Sequence, residues 1–234
     1  ERIKLKNSND WEAVRLMLDL TISREGKRVD YKASEVFFTA GDKIAPDLFD
    51  AKTGESLKKT LIPTIPASRY SADHLVAGRH HAKYKILVFS DPYCPFCKEF
   101  LHDALELANR YPDKVALYYY HFPLTALHPA APTTIRAMIA AELRGLSNVT
   151  QRIYKADLDS KKSNDDEILK SVNSVLGINL SKTDLYKPAV EKRLKNDLDF
   201  AYAMMIRGTP AVFINSQADP KREKFEAIVK ELKK

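Results

Sequence analysis

The chain has 234 residues, of which 44% are hydrophobic, so it can bury one good core with enough left for a second, smaller domain. No run approaches the roughly 18 consecutive apolar residues of a membrane-spanning helix, which argues against an integral membrane protein. The formal net charge of +7 is not gathered into a basic block. Scattered lysine pairs near acidic residues are typical of solvated helix faces rather than of nucleic-acid binding, so no nucleic-acid partner is expected.

The N-terminal segment is predicted to begin with an amphipathic helix. Ser8, Asn9 and Asp10 offer capping side chains, and apolar residues follow with mixed helical spacing up to about Gly26. These apolar residues are Trp11, Val14, Leu16, Met17, Leu18 and Leu20. The chain opens at Glu1 without a starting methionine or the apolar core of a signal peptide, so we expect a processed or truncated form.

Two short strands are predicted next, at 36–38 and 48–49, each followed by a glycine turn signal. Residues 1–74 otherwise contain few apolar side chains, and their core is thinner than a domain of that size needs to be stable alone. We therefore expect a small α+β dimerisation domain over 1–74, covered by a second copy of the chain. The alternative is that this segment packs on the rest of its own chain. Residues 78–81 are predicted to be a linker.

Residues 75–234 show strands alternating with helices. The predicted strands are 85–90, 115–120 and 211–214, each a short apolar run of the kind that is buried on both faces of a sheet. The predicted helices follow Cys97, run from about 129 to 195 with breaks near Gly145, Ser163 and Gly177, and end the chain at 225–232. This alternation predicts an α/β fold with an inserted helical subdomain at about 126–203.

Both cysteines of the chain lie two residues apart, in the segment DPYCPFC at 91–97, where the first apolar strand turns into a helix. Such a pair can be a reversible redox dithiol, half of a metal site, or a structural disulfide. A metal site needs further ligands, and the sequence has neither a second cysteine pair nor histidines at zinc-binding spacing. A structural disulfide around two residues would remove little entropy from the unfolded chain. Spacing and position together favour the redox dithiol.

The position at a helix N-terminus makes Cys94 the predicted nucleophile. Unpaired backbone N–H groups and the helix dipole stabilise a thiolate there. Pro95 suits the first turn, because its missing N–H is not needed and its fixed φ is helical. Cys97 lies one turn deeper on the same side of the helix, where it is placed to attack a mixed disulfide at Cys94.

Three segments of the sequence resemble one family. FSDPYCPFCK at 89–98 resembles the active-site segment of the thioredoxin-fold periplasmic disulfide oxidoreductases, especially the dimeric DsbG and DsbC group. RGTPAVF at 207–213 resembles the family's loop before the third strand, where the proline peptide bond is cis. HPAAP at 128–132 and the helices after it resemble the helical insertion of DsbA. The resemblance covers about residues 84–234 and implies a thioredoxin fold.

The resemblance also implies roles for individual residues. Cys94 is expected to be the exposed attacking cysteine and Cys97 the buried resolving one. Thr209 and Pro210 are expected to face the dithiol and to pair with an extended client chain as an added strand. The proline also supplies no thiol or imidazole to hold a metal between the cysteines. No metal and no cofactor is expected other than the redox-active Cys94–Cys97 disulfide itself.

The two residues between the cysteines, Pro95 and Phe96, are expected to tune the redox properties. DsbA has a histidine donor at the second position, whereas Phe96 cannot donate a hydrogen bond. We therefore expect a pKa of Cys94 between roughly 3.5 and 7, and a reduction potential of about −120 to −200 mV. Thioredoxin and DsbA have a buried acid six residues before the attacking cysteine, where this chain has Val88.

The function implied is that of a periplasmic thiol:disulfide oxidoreductase that forms or isomerises disulfides in secreted proteins. Its implied partners are unfolded or misfolded clients, a membrane protein that reoxidises or reduces it, and a second copy in a homodimer. The alternatives are a holdase chaperone or a reductase that uses the same cleft. His102, His121 and the tyrosine run at 118–120 are interpreted as surface or packing residues.

Overall fold

The structure is a computed structural model that describes residues 1–5, 10–24 and 27–233. The chain divides into two compact units, one of residues 1–63 and 199–207, the other of residues 64–198 and 208–234. Residues 64–74 thus belong to the second unit. Within the described residues, no helix combines the length and the apolar character needed to cross a membrane.

The first unit contains an antiparallel sheet of four strands. They are β1 (Arg2–Lys4), β2 (Glu12–Arg24), β3 (Lys27–Ala40) and β4 (Lys43–Ala45), and they lie side by side in chain order. A 3₁₀ helix, Leu57–Leu61, follows them. The small core consists of the buried residues Ala13, Val36 and Phe38, packed against partly buried apolar side chains that include Trp11. The predicted strand at 36–38 is confirmed as part of β3.

The helix predicted for residues 11–26 is wrong, because this segment forms β2. The apolar residues Val14, Leu16, Leu18, Leu20 and Ile22 alternate with Arg15, Asp19 and Thr21, which is the period of a strand. Pairing with β3 along the whole of β2 then satisfies the backbone. The expected cap at Ser8 and Asn9 and the expected end at Gly26 lie outside the described residues. The described part of residues 1–63 contains no α-helix, so it is β rather than α+β.

The second unit is built on a five-stranded sheet. Its strands are β5 (Leu75–Gly78), β6 (Tyr84–Ser90), β7 (Val115–His121), β8 (Ala211–Ile214) and β9 (Gln217–Ala218). Their order is β5-β7-β6-β8-β9, with β6 and β7 parallel and the other neighbours antiparallel. Two short 3₁₀ helices, Ala67–Arg69 and Ala72–His74, precede the sheet. The central strands β6 and β7 are nearly completely buried, as their continuous apolar runs predict.

The helices follow the predicted alternation. They are α1 (Pro95–Arg110), α2 (Ala131–Leu143), α3 (Val149–Lys155), α4 (Asp165–Leu176), α5 (Lys182–Leu185), α6 (Pro188–Ala203) and α7 (Glu223–Leu232). The breaks predicted near Gly145, Ser163 and Gly177 fall between them. Gly177 ends α4 with a left-handed φ of 63°, and the Asn164 side chain caps the start of the same helix. The helical insertion between β7 and β8 is therefore confirmed.

The linker predicted at 78–81 is wrong at its first residue, because Gly78 ends the edge strand β5. Its φ is +78°, and a Cβ atom at this position would lie 1.9 Å from the carbonyl oxygen of Val115. Glycine is required here both for the left-handed backbone and for the close approach of β5 to β7. From the sequence alone, a glycine required for a close backbone approach cannot be distinguished from a glycine in a flexible linker.

Candidate active site

The two cysteines lie at the junction of β6 and α1. A short turn connects the buried end of β6 to Cys94, which is the N-cap residue of α1. The Cys94 carbonyl accepts hydrogen bonds of 3.0 Å from the N–H groups of Cys97 and Lys98. Pro95 is the first helical residue, where no N–H is needed. The predicted position of the dithiol between a strand and a helix is confirmed.

Cys94 is the more acidic thiol of the pair. The pKa of Cys94 is lowered to about 5, chiefly because the Cys97 thiol donates a hydrogen bond to its sulfur. The N–H groups of Cys97 and Phe96, at the start of α1, favour the thiolate further. Burial acts in the opposite direction and is outweighed. A pKa of about 5 lies within the range expected from the sequence.

Cys97 is fully buried, with 0% of its surface exposed. Burial raises the pKa of Cys97, and its hydrogen bond to Cys94 raises it further. At neutral pH the pair therefore consists of a Cys94 thiolate beside a protonated Cys97. Neither thiol is in a disulfide in this structure.

The expectation that Cys94 is exposed is wrong, because only 4% of its surface is accessible. The loop before β8 lies against it, and Cys94 Sγ is 3.5 Å from the Thr209 carbonyl oxygen, to which it donates when the thiol is protonated. The Thr209 hydroxyl also lowers the pKa of Cys94. That hydroxyl is buried and has no hydrogen-bond partner of ordinary geometry in the described part of the chain, so we regard its effect as weak.

The peptide bond between Thr209 and Pro210 is cis, as the resemblance implied. The loop is brought to the dithiol by strand pairing, since β8 is antiparallel to β6 and Ala211 pairs with Phe89. Thr209 and Pro210 thus immediately precede β8, at the end of the sheet where β6 leads into α1. Both residues are partly exposed, whereas β8 is buried from Val212 onward.

Phe96 lies between the cysteines with 64% of its surface exposed. Pro95 beside it is also exposed. An aromatic ring at this position gives the surface next to Cys94 apolar character and supplies no hydrogen-bond donor to the thiolate.

Asp91 is a residue of the site that the sequence analysis did not single out. Its carboxylate is fully buried and accepts hydrogen bonds from the N–H of Tyr93 at 2.7 Å and the N–H of Leu124 at 2.6 Å. Nδ1 of His128 lies 3.1 Å from the same carboxylate. Asp91 therefore fixes the turn that leads to Cys94. The signal was an acid placed directly after a strand that is buried on both faces.

A group of buried hydroxyls lies at the end of β6 and was also missed. The Ser90 hydroxyl is 2.7 Å from the hydroxyl of Tyr154, which is 3.1 Å from the hydroxyl of Tyr119. Tyr119 donates to the Ser90 carbonyl at 3.4 Å and closes a ring. Burial raises the pKa of both tyrosines well above the usual value, so their hydroxyls stay protonated.

The histidines interpreted as surface or packing residues are confirmed as such. His102 is exposed on α1 next to Asp103. His121 is buried at the end of β7, and burial lowers its pKa to about 3, so the ring is neutral. Among residues 1–5, 10–24 and 27–233, no three His, Cys, Asp or Glu side chains are grouped as a metal site.

The comparison with known protein families agrees with this geometry. A family model described as Thioredoxin matches residues 71–234, which include β6, the dithiol, the helical insertion and the Thr209–Pro210 loop. The chain belongs to the thioredoxin family. The predicted thioredoxin fold with a helical insertion is thereby confirmed for this part of the chain.

Two curated relatives differ in how much of their length is shared. The Na(+)/H(+) antiporter NhaA 1 of Mycolicibacterium gilvum is 27% identical over 150 residues, which are 62% of this chain and 24% of the antiporter. The chain thus spans about a quarter of that relative. A protein named "Probable disulfide bond formation protein D" of Bacillus anthracis is 26% identical over 182 residues, which are 67% of this chain and 77% of that protein.

A solved structure shares the fold over most of its length. The periplasmic thioredoxin-like protein of Salmonella enterica serovar Typhimurium has a TM-score of 0.52 and 21% identity, and the match covers 71% of this chain and 97% of that chain. At this identity the match shows the fold, and it agrees with the Thioredoxin family model, which confirms the sequence-based recognition of the thioredoxin fold for residues 71–234.

Proposed function

We propose that this protein forms or isomerises disulfide bonds in secreted client proteins through the Cys94–Cys97 pair. The observation that carries this proposal is the asymmetry of the two thiols, since the pKa of Cys94 is about 5 while burial raises that of Cys97. Disulfide exchange needs a sulfur that attacks and leaves readily as a thiolate, beside a buried partner thiol that can close the disulfide with it.

The exchange can be written with its bonds and electrons. In the oxidised protein, a client thiolate attacks Cys94 Sγ, a client–Cys94 disulfide forms, and the Cys94–Cys97 bond breaks with its electron pair going to Cys97. A second client thiolate then attacks the client sulfur of this mixed disulfide. The client disulfide forms, Cys94 leaves as a thiolate, and the protein is left reduced. In isomerisation the Cys94 thiolate of the reduced protein attacks a client disulfide, and one client cysteine leaves as a thiolate. Another client thiolate then attacks the client sulfur of the mixed disulfide, so a different client disulfide forms, Cys94 leaves as a thiolate, and the protein is again reduced.

The loop beside Cys94 supplies a place for an extended client chain. The N–H of Thr209 has no hydrogen-bond partner in the described part of the chain, and Ala211 is the first residue of β8. A client segment would pair with Thr209 as an added strand, next to the cis Pro210. The exposed ring of Phe96 would contact apolar client side chains on the other side of Cys94.

The low pKa of Cys94 favours donation of disulfides over reduction. A stabilised thiolate stabilises the reduced protein, which makes its disulfide a stronger oxidant. We therefore propose that a membrane protein reoxidises the pair, and that the chain works in the periplasm, where disulfides persist. The Cys94–Cys97 disulfide is the only redox group this reaction requires.

The deciding experiment is the equilibrium between this protein and glutathione, with the Cys94 thiolate titrated by its absorbance on the same sample. We expect a potential of about −120 to −200 mV. A value near −270 mV, like that of thioredoxin, would make the protein a reductase. The absence of any reversible couple would rule out the proposed function altogether.

The first unit supports the further proposal of a homodimer. β2 and β3 form a long hairpin, but β1 pairs with β2 only at Glu12–Val14 and β4 pairs with β3 only at Phe38–Ala40. The rest of the hairpin has no third strand in the described part of the chain. An isolated two-stranded hairpin is marginally stable in water, so we propose that a second copy of the chain packs against it in a dimer.

Sedimentation of the full chain tests the dimer. Leu16 and Met17 on β2 are exposed by 38% and 53%, and we expect Leu16→Lys combined with Met17→Lys to give a monomer. Leu143→Lys, at an exposed site at the end of α2, is the matched control and should remain dimeric. A monomeric unmodified protein at micromolar concentration would contradict the proposal.

A further inference from the structure

The buried hydroxyls at the end of β6 are not used in the exchange described above. Ser90 is 0% exposed, and Tyr119 and Tyr154 are nearly so. By the alternation of a strand, the Ser90 side chain points to the same face of the sheet as Val88, into the core that also contains Cys97. The Ser90 hydroxyl lowers the pKa of Cys97, although burial has the larger effect.

The hydrogen bonds of this ring have a direction when Cys97 is a thiol. Tyr119 donates its single hydroxyl proton to the Ser90 carbonyl. Tyr154 must then donate to Tyr119, and Ser90 must donate to Tyr154. The Ser90 oxygen is left with lone pairs but no free proton, so towards a Cys97 thiol it can only be an acceptor.

The direction can reverse when Cys97 carries a negative charge. If Ser90 turns its proton to the sulfur, Tyr154 can donate to Ser90 and Tyr119 to Tyr154. The bond given up is the one from Tyr119 to the Ser90 carbonyl, which at 3.4 Å is the longest of the ring. The ring thus contains a hydroxyl donor that becomes available for an anion at little cost.

A buried anion at Cys97 is formed whenever the disulfide is opened. Attack at Cys94 breaks the Cys94–Cys97 bond, and the electron pair stays on Cys97, which is fully buried. An unpaired charge in such a place is expensive, and so the opening step is slow unless a donor meets the leaving sulfur.

We propose that Ser90 is that donor, a catalytic residue whose hydroxyl stabilises the Cys97 thiolate as the disulfide opens. The Ser90 proton is shared in a hydrogen bond and is not transferred, so no base is needed in this step. Tyr154 and Tyr119 complete the ring around Ser90 without donating to the sulfur. This inference rests on the proposed exchange reaction and names a further residue that takes part in it.

The test is the rate at which reduced glutathione opens the Cys94–Cys97 disulfide of the oxidised protein. The fraction opened at each time is measured by rapid acid quenching and alkylation. Ser90→Ala removes the donor and should slow opening by about tenfold. Tyr154→Phe breaks the same 2.7 Å hydrogen bond but keeps the Ser90 hydroxyl, so we expect a change of less than about threefold. The pH dependence of Cys94 alkylation in the reduced protein should retain its midpoint in both variants.

A second pair of variants covers the case in which Ser90→Ala does not fold. Ser90→Thr and Ser90→Val have the same shape, so any strain from the added volume is common to both. Only the threonine variant has a hydroxyl, and it should open about tenfold faster than the valine variant.

The outcomes separate this inference from the function on which it rests. If unmodified protein forms no reversible disulfide with glutathione, the proposed function fails. If it does, but Ser90→Ala opens as fast as the unmodified protein, or Tyr154→Phe is slowed to the same extent, Ser90 has only a structural role. Equal rates for the threonine and valine variants would overturn the inference in the same way.

Discussion

Oδ2 of Asp91 accepts a hydrogen bond of 2.6 Å from the backbone N–H of Leu124, and this bond ties the turn before Cys94 to the loop that follows β7. The other oxygen of the same carboxylate accepts from the N–H of Tyr93. One buried side chain thus holds two backbone segments whose N–H groups would otherwise lack a partner. The position of Cys94 depends on both.

Replacing Asp91 by asparagine should therefore destabilise the protein. The amide has one accepting oxygen and cannot satisfy both N–H groups, so one is left unpaired in the interior. We expect a loss of about 1–3 kcal/mol in the free energy of unfolding, measured by urea denaturation. Asp113→Asn is the control, because Asp113 is exposed and pairs with Arg79 at the surface. Its effect should stay within about 0.5 kcal/mol, and equal losses for the two variants would contradict this role of Asp91.

The acidity of Cys94 should depend on the hydrogen bond from Cys97. In the unmodified protein, the rate of iodoacetamide alkylation should rise with a midpoint near pH 5 and level off above it. Cys97→Ala removes the donor, and the midpoint should move up by about one pH unit or more. Cys97→Ser retains a hydrogen-bond donor, so its alkylation midpoint should lie between those of the unmodified protein and Cys97→Ala.

A midpoint that is unchanged in Cys97→Ala would show that the start of α1 alone makes Cys94 acidic. The comparison is direct, because Cys94 is then the single cysteine of the chain.

The close approach at Gly78 predicts a large difference between two glycine substitutions. Gly78 and Gly177 both have a left-handed φ, of +78° and +63°. A Cβ at Gly78 would overlap the Val115 carbonyl, whereas one at Gly177 would meet no atom within 4 Å. Gly177→Ala should lower the free energy of unfolding by about 1 kcal/mol, because alanine is strained in the left-handed conformation. Gly78→Ala should lower the free energy of unfolding, measured by heat or urea, by at least about 2 kcal/mol more than Gly177→Ala does. Similar losses for the two variants would show that β5 can move away from β7.

The parts of this structure that were predictable from sequence are those set by local pattern. The buried strands β6 and β7 are continuous apolar runs, and Pro95 marks the first turn of α1 directly after Cys94. These features need no knowledge of distant residues. The cis bond at Pro210 followed from the resemblance of its segment to a known loop, not from physical reasoning about that loop.

The features that were missed depend on residues far apart in the chain. Tyr154 lies 64 positions from the Ser90 hydroxyl that it contacts, and neither residue has a local signal for this contact. The alternation of Leu16 and Leu18 was visible, but Met17 between them suggested a helix. This segment is a strand because β2 pairs with β3 along its whole length, a contact that the local pattern does not reveal.

Glu142, near the end of α2, predicts a pH dependence of stability. Burial raises the pKa of its carboxyl from 4.5 to about 7; Arg193 nearby acts to lower it and Asp197 to raise it. Between these two pH values the folded protein holds a proton that the unfolded chain releases. The stability due to this proton is complete below pH 4.5 and is lost as the pH rises through 7.

Glu142→Gln keeps a neutral side chain at every pH and should remove this loss. At pH 4 the variant and the unmodified protein should unfold at similar urea concentrations. At pH 8 the variant should be more stable, by on the order of 1–3 kcal/mol, because it has no charge to bury. Glu106→Gln, at an exposed i,i+4 pair with Arg110, should change stability by less than about 0.5 kcal/mol at both pH values. If the difference between Glu142→Gln and the unmodified protein is the same at pH 4 and pH 8, the pKa of Glu142 is the same in the folded and unfolded protein, which would contradict the prediction.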